Sequence, residues 1–247
     1  MTGKFELARL DLADAVGRLI KRARNFDGEH ASAQNLIDPF AAALESALNG
    51  YKSEDEWKEA EHRRTRQKNL MNHIGDLQQS IIGKLPGWAS HPSGNDMPDV
   101  VGRRGKQMIL CEVKNKHNTM NSNSSAETYD VLEEFLSRPE FKGFTAGVVA
   151  VISPINKNSY FKPFAPASRK ERGDIVYMPG RVFYAIATDP QERVPFKTLL
   201  PGENISKWDS WAAIDLMMQE FWLEIEKQTK YKTPDWIKEL TVQALGD

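Results

Sequence analysis

Cysteine occurs once in 247 residues, as Cys111, which excludes an intramolecular disulfide framework and any metal knuckle built from several thiolates. Net charge is almost absent: 33 Lys and Arg stand against 34 Asp and Glu, a formal charge of -1. Nothing global therefore draws the chain to a polyanion or a lipid surface, and any such attraction must come from local clusters. No apolar run approaches the roughly 20 residues that a bilayer crossing needs. The opening MTGKFELARLDLAD sets acids among its apolar residues, unlike a secretory leader. A phosphate-binding glycine loop is also lacking, because Gly102-Arg103-Arg104-Gly105 is not followed by Lys-Ser/Thr. His73 has Leu77 four residues on, which excludes a helical zinc pair. No internal repeat and no low-complexity tract is present. The expectation is a soluble protein of a reducing cytoplasm, with no membrane partner.

What is present suggests one α/β domain over 1–247, with a mainly helical subregion at 1–85, an α/β core at 86–190 and a helical region at 191–247. At 40% hydrophobic residues the chain can fill one sizeable core. Phe5, Leu7, Leu10, Leu12, Val16, Leu19 and Ile20 approximate a helix period, closed by Lys21, Arg22 and Arg24. Asp38-Pro39 opens a second helix, which Asn49-Gly50 ends. Ser53 and Glu56 fit a capping box for a long polar helix with the stripe Leu70, Ile74, Leu77 and Ile81, stopped at Pro86-Gly87. Residues 99–101 and 107–113 then read as strands around a glycine turn, and 125–137 as a helix with Ser124 or Ser125 as its cap. Runs 144–152 and 182–188 read as buried strands, 153–180 as a long Pro- and Lys-rich connection, and 206–230 as a helix. Its Trp208, Trp211, Phe221 and Trp222 suit a core, or else a dimer surface.

Three ionisable residues interrupt the apolar strands. Residues two apart on a strand share a face, so Glu112 and Lys114 point together and Cys111 and Val113 point away. If the two runs pair about a centre between Gly105 and Lys106, Asp99 falls opposite Glu112, about 5 Å away at Cβ. Carboxylates that close repel unless a divalent cation lies between them. Mg²⁺ suits such oxygen ligands, with phosphate and water completing its shell. A neighbouring ammonium can position the water or stabilise transition-state charge, which together describes a metal-assisted phosphodiester hydrolase. Glu-x-Lys also occurs at Glu56 and Glu140, but only the copy at Glu112 has Pro-Asp upstream and an apolar strand leading in. The plainer alternative is a cross-strand ion pair of Glu112 or Asp99 with Lys114 or Arg104 on a solvated face.

A nuclease needs cations along the phosphate path. Residues 99–118 hold five (Arg103, Arg104, Lys106, Lys114, Lys116) against two acids, and 155–172 hold five (Lys157, Lys162, Arg169, Lys170, Arg172) against Glu171. The second cluster, with Asn158 among its polar residues, reads either as a base-recognition loop or as a solvated connection. His117, Asn118, Thr119 and Asn121 follow the proposed catalytic strand and suit phosphate or base edges, or else a plain turn. The helical run His62, Arg63, Arg64, Arg66 and Lys68 reads as a solvated face.

Pro98-Asp99, twelve residues, then Glu112-Val113-Lys114 resembles the PD-(D/E)xK nuclease superfamily, especially its type II restriction endonucleases. Asn72-His73-Ile74-Gly75-Asp76-Leu77-Gln78-Gln79, Glu112 to Thr119 and Tyr129-Asp130 are similar to a small family that cuts GGNCC- or GGWCC-type sites, the likeness spanning residues 65–190. The resemblance implies a central mixed sheet flanked by helices, a homodimer, Mg²⁺ dependence and double-strand cleavage of DNA at a short palindrome. It makes Asp99 and Glu112 metal ligands and Lys114 the residue that positions water, with Gln79 and Asn72 as accessory polar groups. Relatives often carry an acid on that helix; with Gln79 in its place, a second metal is left open.

Overall fold

The computed structural model describes residues 12–25, 38–91, 96–104, 106–153, 162–166, 168–187, 211–237 and 239–240. The N-terminal helices follow their capping signals. Helix α1 (Ala13–Asn25) buries Ala15, Val16 and Leu19, with Leu12 just before it; Phe5, Leu7 and Leu10 lie outside the described residues. Asp38 caps α2 (Pro39–Asn49) by accepting from the Phe40 and Ala41 amides at 2.9 and 3.3 Å, and Gly50 ends it at a φ of 74°. Helix α3 (Glu54–Ile82) starts with Ser53 accepting from the Glu56 amide, while Glu56 accepts in return from the Lys52 amide. Of the expected stripe, Leu77 and Ile81 are buried and Leu70 and Ile74 pack at the margin.

Six strands form one mixed sheet in the order β1-β2-β3-β4-β6-β5. They are β1 (Trp88–Ser90), β2 (Val100–Arg104), β3 (Gln107–Lys116), β4 (Thr145–Ile152), β5 (Lys162–Pro163) and β6 (Ile175–Pro179). The first three pair antiparallel, β3, β4 and β6 run parallel, and β5 closes the far side antiparallel to β6. Helix α4 (Ser122–Ser137) makes the crossover from β3 to β4. One core joins one sheet face (Ile109, Cys111, Val113, Val149) to α1 and α3. It also takes in α5 (Gly180–Ala187) and the inner side of α6 (Trp211–Thr229). The other core sets Leu110, Ala146 and Val148 against Tyr129, Leu132 and Phe135 of α4. The expected central mixed sheet flanked by helices is therefore the architecture found.

Three expectations change. Residues 182–188 were expected as a strand, but the segment forms α5, with Val182, Phe183, Tyr184 and Ile186 all at 1% exposure or less. A short apolar run buried on every side has no polar face to reveal its period, so strand and helix look alike. The long connection at 153–180 contains β5 and β6. The cap of α4 is Asn121, which accepts from the Ser124 amide while Ser124 Oγ accepts from the Asn121 amide, both at 2.9 Å. Helix α6 is described from Trp211; Trp208 lies outside the described residues, Phe221 packs against the core and Trp222 is half-buried.

Gly180, at the turn from β6 into α5, sits where an added Cβ would lie 2.1 Å from the Val151 carbonyl oxygen. Gly75, inside α3, has nothing within 4 Å of that position. Gly180→Ala is expected to cost about 1–3 kcal/mol, because backbone cannot step aside as a side chain can. Gly75→Ala should instead stabilise by roughly 0.5–1 kcal/mol through helix propensity. Urea denaturation of both variants checks the pair, and equal effects would contradict the packing described.

Candidate active site

The β2–β3 hairpin sets the site. Its register pairs Val100 with Cys111 and Arg104 with Gln107, which carried one residue further puts Asp99 opposite Glu112, as expected. Along β3 the faces alternate. Ile109, Cys111 and Val113 enter the core under α3, while Leu110 enters the core under α4, so Glu112 and Lys114 continue the Leu110 side. Both lie against the buried β4, Glu112 beside Val148 and Lys114 beside Ala150. Lys114 Nζ is 3.3 Å from Glu112 Oε2, with side-chain exposures of 28% and 16%. Asp99 Oδ2 accepts from the Val113 amide at 2.8 Å. The three residues are thus brought together.

The electrostatics are those of two acids crowded into partial burial. Burial holds the Asp99 carboxyl above its ordinary range, and the charge of Asp76 adds to this; the Val113 amide, Lys114 and a hydrogen bond with Glu112 oppose it. Burial likewise raises Glu112, and Asp99 raises it further, against the pull of Lys114 and the Asp99 amide. The pair therefore keeps a proton to higher pH than two separate carboxyls would. A divalent cation can take that proton's place, so the donor set fits a hard metal with carboxylate, phosphate and water ligands. Among the described residues no three His, Cys, Asp or Glu converge as a metal cluster. Cys111 lies on the opposite face with its thiol pushed far up by burial.

Two further groups bear on Asp99. Arg138, the residue that ends α4, grips the approach to it. Its guanidinium donates to the Asp96 carbonyl at 2.9 Å and to the Asp96 carboxylate at 2.8 Å. The same side chain pairs with Glu134 at 2.8 Å and stacks over the Phe135 ring at 4.7 Å. Asp96 has a φ of 53°, in the left-handed region, where a non-glycine residue needs outside support. Asp76 is the second group. Asn72, Asp76 and Gln79 share one stripe of α3, and Gly83, one turn on, abuts Ser90 of β1, whose partner Val100 adjoins Asp99. The charge of Asp76, an acid on this helix, bears on Asp99, and Asp76 is itself paired with Arg22 of α1 at 2.9 Å. The three-and-four spacing of that stripe was the signal that could have found it. Asn72 is exposed and Gln79 half-buried.

The cationic candidates divide. Lys116, His117, Asn118 and Thr119 are exposed just beyond the acid pair, in a turn tied down by the His117 amide to the Ile152 carbonyl at 3.0 Å. Arg103 is exposed on β2, as is Lys106 at the hairpin turn, and Arg104 occupies the last position of that strand. Asn121 spends its side chain on the helix cap. Arg169 forks onto Asp130 with two contacts of 2.6 Å, and Arg172 pairs with Asp174 at 2.8 Å and Glu133 at 3.0 Å. The Lys170 carbonyl accepts from the Tyr129 hydroxyl at 2.6 Å. Two of the five cations counted over 155–172, Arg169 and Arg172, are therefore paired with acids of α4 and its neighbourhood. Lys157 and Asn158 lie outside the described residues. On α3, Arg63 and Arg64 pair with Glu59 and Glu61.

Residues 7–201 match the family described as Eco47II restriction endonuclease. Over 188 residues, 72% of this chain and 76% of the relative, the chain is 31% identical to the type II restriction enzyme Eco47II of Escherichia coli. Over 87 residues, 35% of this chain and 32% of the relative, it is 36% identical to the type II restriction enzyme Sau96I of Staphylococcus aureus. No helix among the described residues is long and apolar enough to cross a membrane.

The raised carboxyls predict an unusual pH response. For a carboxyl whose value is raised on folding, the stabilising contribution is complete below the ordinary carboxylate range and disappears as pH climbs through the raised native value. Without divalent cation, Asp99→Asn and Glu112→Gln should melt above the wild type near about pH 8, the gap closing near about pH 4. Calorimetric melts across pH check this; wild type melting higher at alkaline pH would contradict it. Arg138→Ala should slow the chain's reaction roughly tenfold to a hundredfold by loosening the placement of Asp99, with cooperative unfolding retained. Paired rate and melting measurements would show whether the effect is one of placement or of folding.

Proposed function

The chain belongs to the Eco47II restriction endonuclease family, and from that premise we propose a particular reaction for this type II site-specific deoxyribonuclease. It cuts both strands of DNA at a short palindrome of the GGNCC type, uses Mg²⁺ and leaves 5′-phosphates. It works as a homodimer within a restriction–modification system of the cytoplasm. The observation that carries the reading is the adjacency of Asp99 and Glu112 across the hairpin, with the Lys114 ammonium at 3.3 Å from Glu112.

In this reading Asp99 and Glu112 would hold the cation, with the Val113 amide, which donates to Asp99 Oδ2, fixing that oxygen. When bound, Mg²⁺ offsets charge on the scissile phosphate and eases deprotonation of water. Lys114 donates to the attacking water or to a phosphoryl oxygen, and in partial burial that stabilisation is worth more than in bulk solvent. The water oxygen bonds to phosphorus and its proton passes to bulk solvent, while the bond from phosphorus to the 3′ oxygen breaks and that oxygen takes a proton from solvent. In the same reading Lys116, His117, Asn118 and Thr119, which follow Lys114 at the end of β3, contact the flanking phosphates, as does Arg103 of β2. Gln79 and Asn72 belong to the accessory stripe that includes Asp76.

Digestion of plasmid DNA with Mg²⁺, followed by run-off sequencing, tests the reading. Discrete fragments whose ends fall at one palindrome are expected. Cutting confined to branched substrates would instead indicate a structure-selective nuclease. Asp99→Ala, Glu112→Gln and Lys114→Ala should each cost roughly 10²-fold or more in rate. Calorimetry should show Mg²⁺ binding lost in Asp99→Ala and kept in Lys114→Ala. Should wild type and Asp99→Ala bind Mg²⁺ alike and neither nick DNA, the catalytic assignment is wrong.

A further inference from the structure

Helix α2 is built inside out. It buries no residue, and Phe40, Leu44 and Leu48 are 84%, 62% and 76% exposed. Spaced four apart, they form one stripe, with the exposed Ala41 and Ala47 at its sides. The residues that α2 turns partly inward are Ala42, Glu45 and Ser46, and Glu45 lies near enough to Arg64 of α3 to act on its charge. A helix on a globular surface normally does the reverse. Yet α2 is firmly specified, with an aspartate cap, proline in its first turn and a left-handed glycine at its end. At 11 residues it falls below the roughly 12–15 that stand unaided in water, so packing must supply its stability. Its neighbour gives little, because the buried residues of α3 (Leu77, Gln78, Ile81 and Ile82) all lie in its last two turns.

We infer that the outer face of α2 is where two copies of this chain meet. The inference rests on the homodimer reading above and gives that reading a surface. Each chain carries one Asp99–Glu112–Lys114 set, so cutting two strands calls for two chains. A two-fold contact must be self-complementary, the same patch facing itself. The outer stripe meets that condition. It carries no charge, so no like charges oppose each other. Leu44 also stands midway between Phe40 and Leu48, so antiparallel α2 helices put Leu44 at the axis and Phe40 of each copy against Leu48 of the other. A face without a cation offers nothing to phosphate, which sets DNA aside as its occupant. Three side chains fall short of the roughly 800 Å² per partner of a stable interface. They form its apolar centre, and the charged start of α3, with Lys58–Glu54 and Arg63–Glu59, forms the polar rim.

The full-length chain is to be studied by sedimentation at the micromolar concentrations used for cleavage, beside Leu44→Asp, Leu48→Ser and Leu44→Cys. The wild type should sediment as a dimer. Leu44→Asp and Leu48→Ser should shift toward monomer mass while still binding Mg²⁺, and their plasmid product should change from linear to nicked circles. Because the sole native thiol, Cys111, is fully buried, oxidised Leu44→Cys should give one clean crosslink between copies that still cleaves. A dimeric Leu44→Asp, or a dimeric Leu44→Cys that does not crosslink, overturns the assignment of this face and leaves the homodimer reading standing. A wild type that is monomeric wherever it cleaves overturns both.

Discussion

Two carboxyls forced together across a hairpin are the constraint around which this chain is organised. Left to themselves Asp99 and Glu112 would separate or take up a proton, and burial raises the cost of charging either one. The surrounding fold removes the option of separating. Strand β3 is held between two apolar cores and paired on both sides. Glu112 therefore cannot retreat. Asp99 is pinned by the Val113 amide, and the loop before it by Arg138. The destabilisation is stored locally, beside buried apolar residues of β3 and β4 such as Ile109, Leu110, Val113, Val148, Val149 and Ala150. Such a local reservoir of unfavourable charge is the usual mark of a site kept for chemistry rather than for stability.

The hairpin register was legible in the residues, because the alternation of apolar side chains admits one pairing. The capped helices α2 and α3 were legible for a similar reason, since Asp38-Pro39, Gly50 and Ser53 act over three or four residues. The failures share a cause of their own. Val182, Phe183, Tyr184 and Ile186 are all buried, so tertiary context and not periodicity made the segment a helix. Ile175–Pro179 is a five-residue strand between a turn and a helix, too short to show a period. Asn121 was passed over as a cap because serines crowd the next positions. Within the site, the two acids and the lysine could be read from local spacing. Arg138 could not, because it acts on the approach to Asp99 through contacts with Asp96 that are remote in sequence.

Arg169 and Arg172 belong to a cationic stretch by sequence, yet in space they face Asp130, Glu133 and Asp174. Those pairs tie the segment before β6 to the outer side of α4, where Tyr129 also holds the Lys170 carbonyl. The stretch thus reads better as a strap across a helix than as an open patch for polyanions. The exposed groups at the end of β3 are fewer, but they adjoin the acid pair.

The sheet has modest margins. On one side lies the three-residue β1, on the other the two-residue β5, made of Lys162 and Pro163. A lysine resists burial and a proline offers no amide to a newcomer, so neither border invites another strand. Growth of fibres along the hydrogen-bonding direction is thereby discouraged. Contacts among neighbouring molecules are left to helical surfaces, where association can close upon itself and stop.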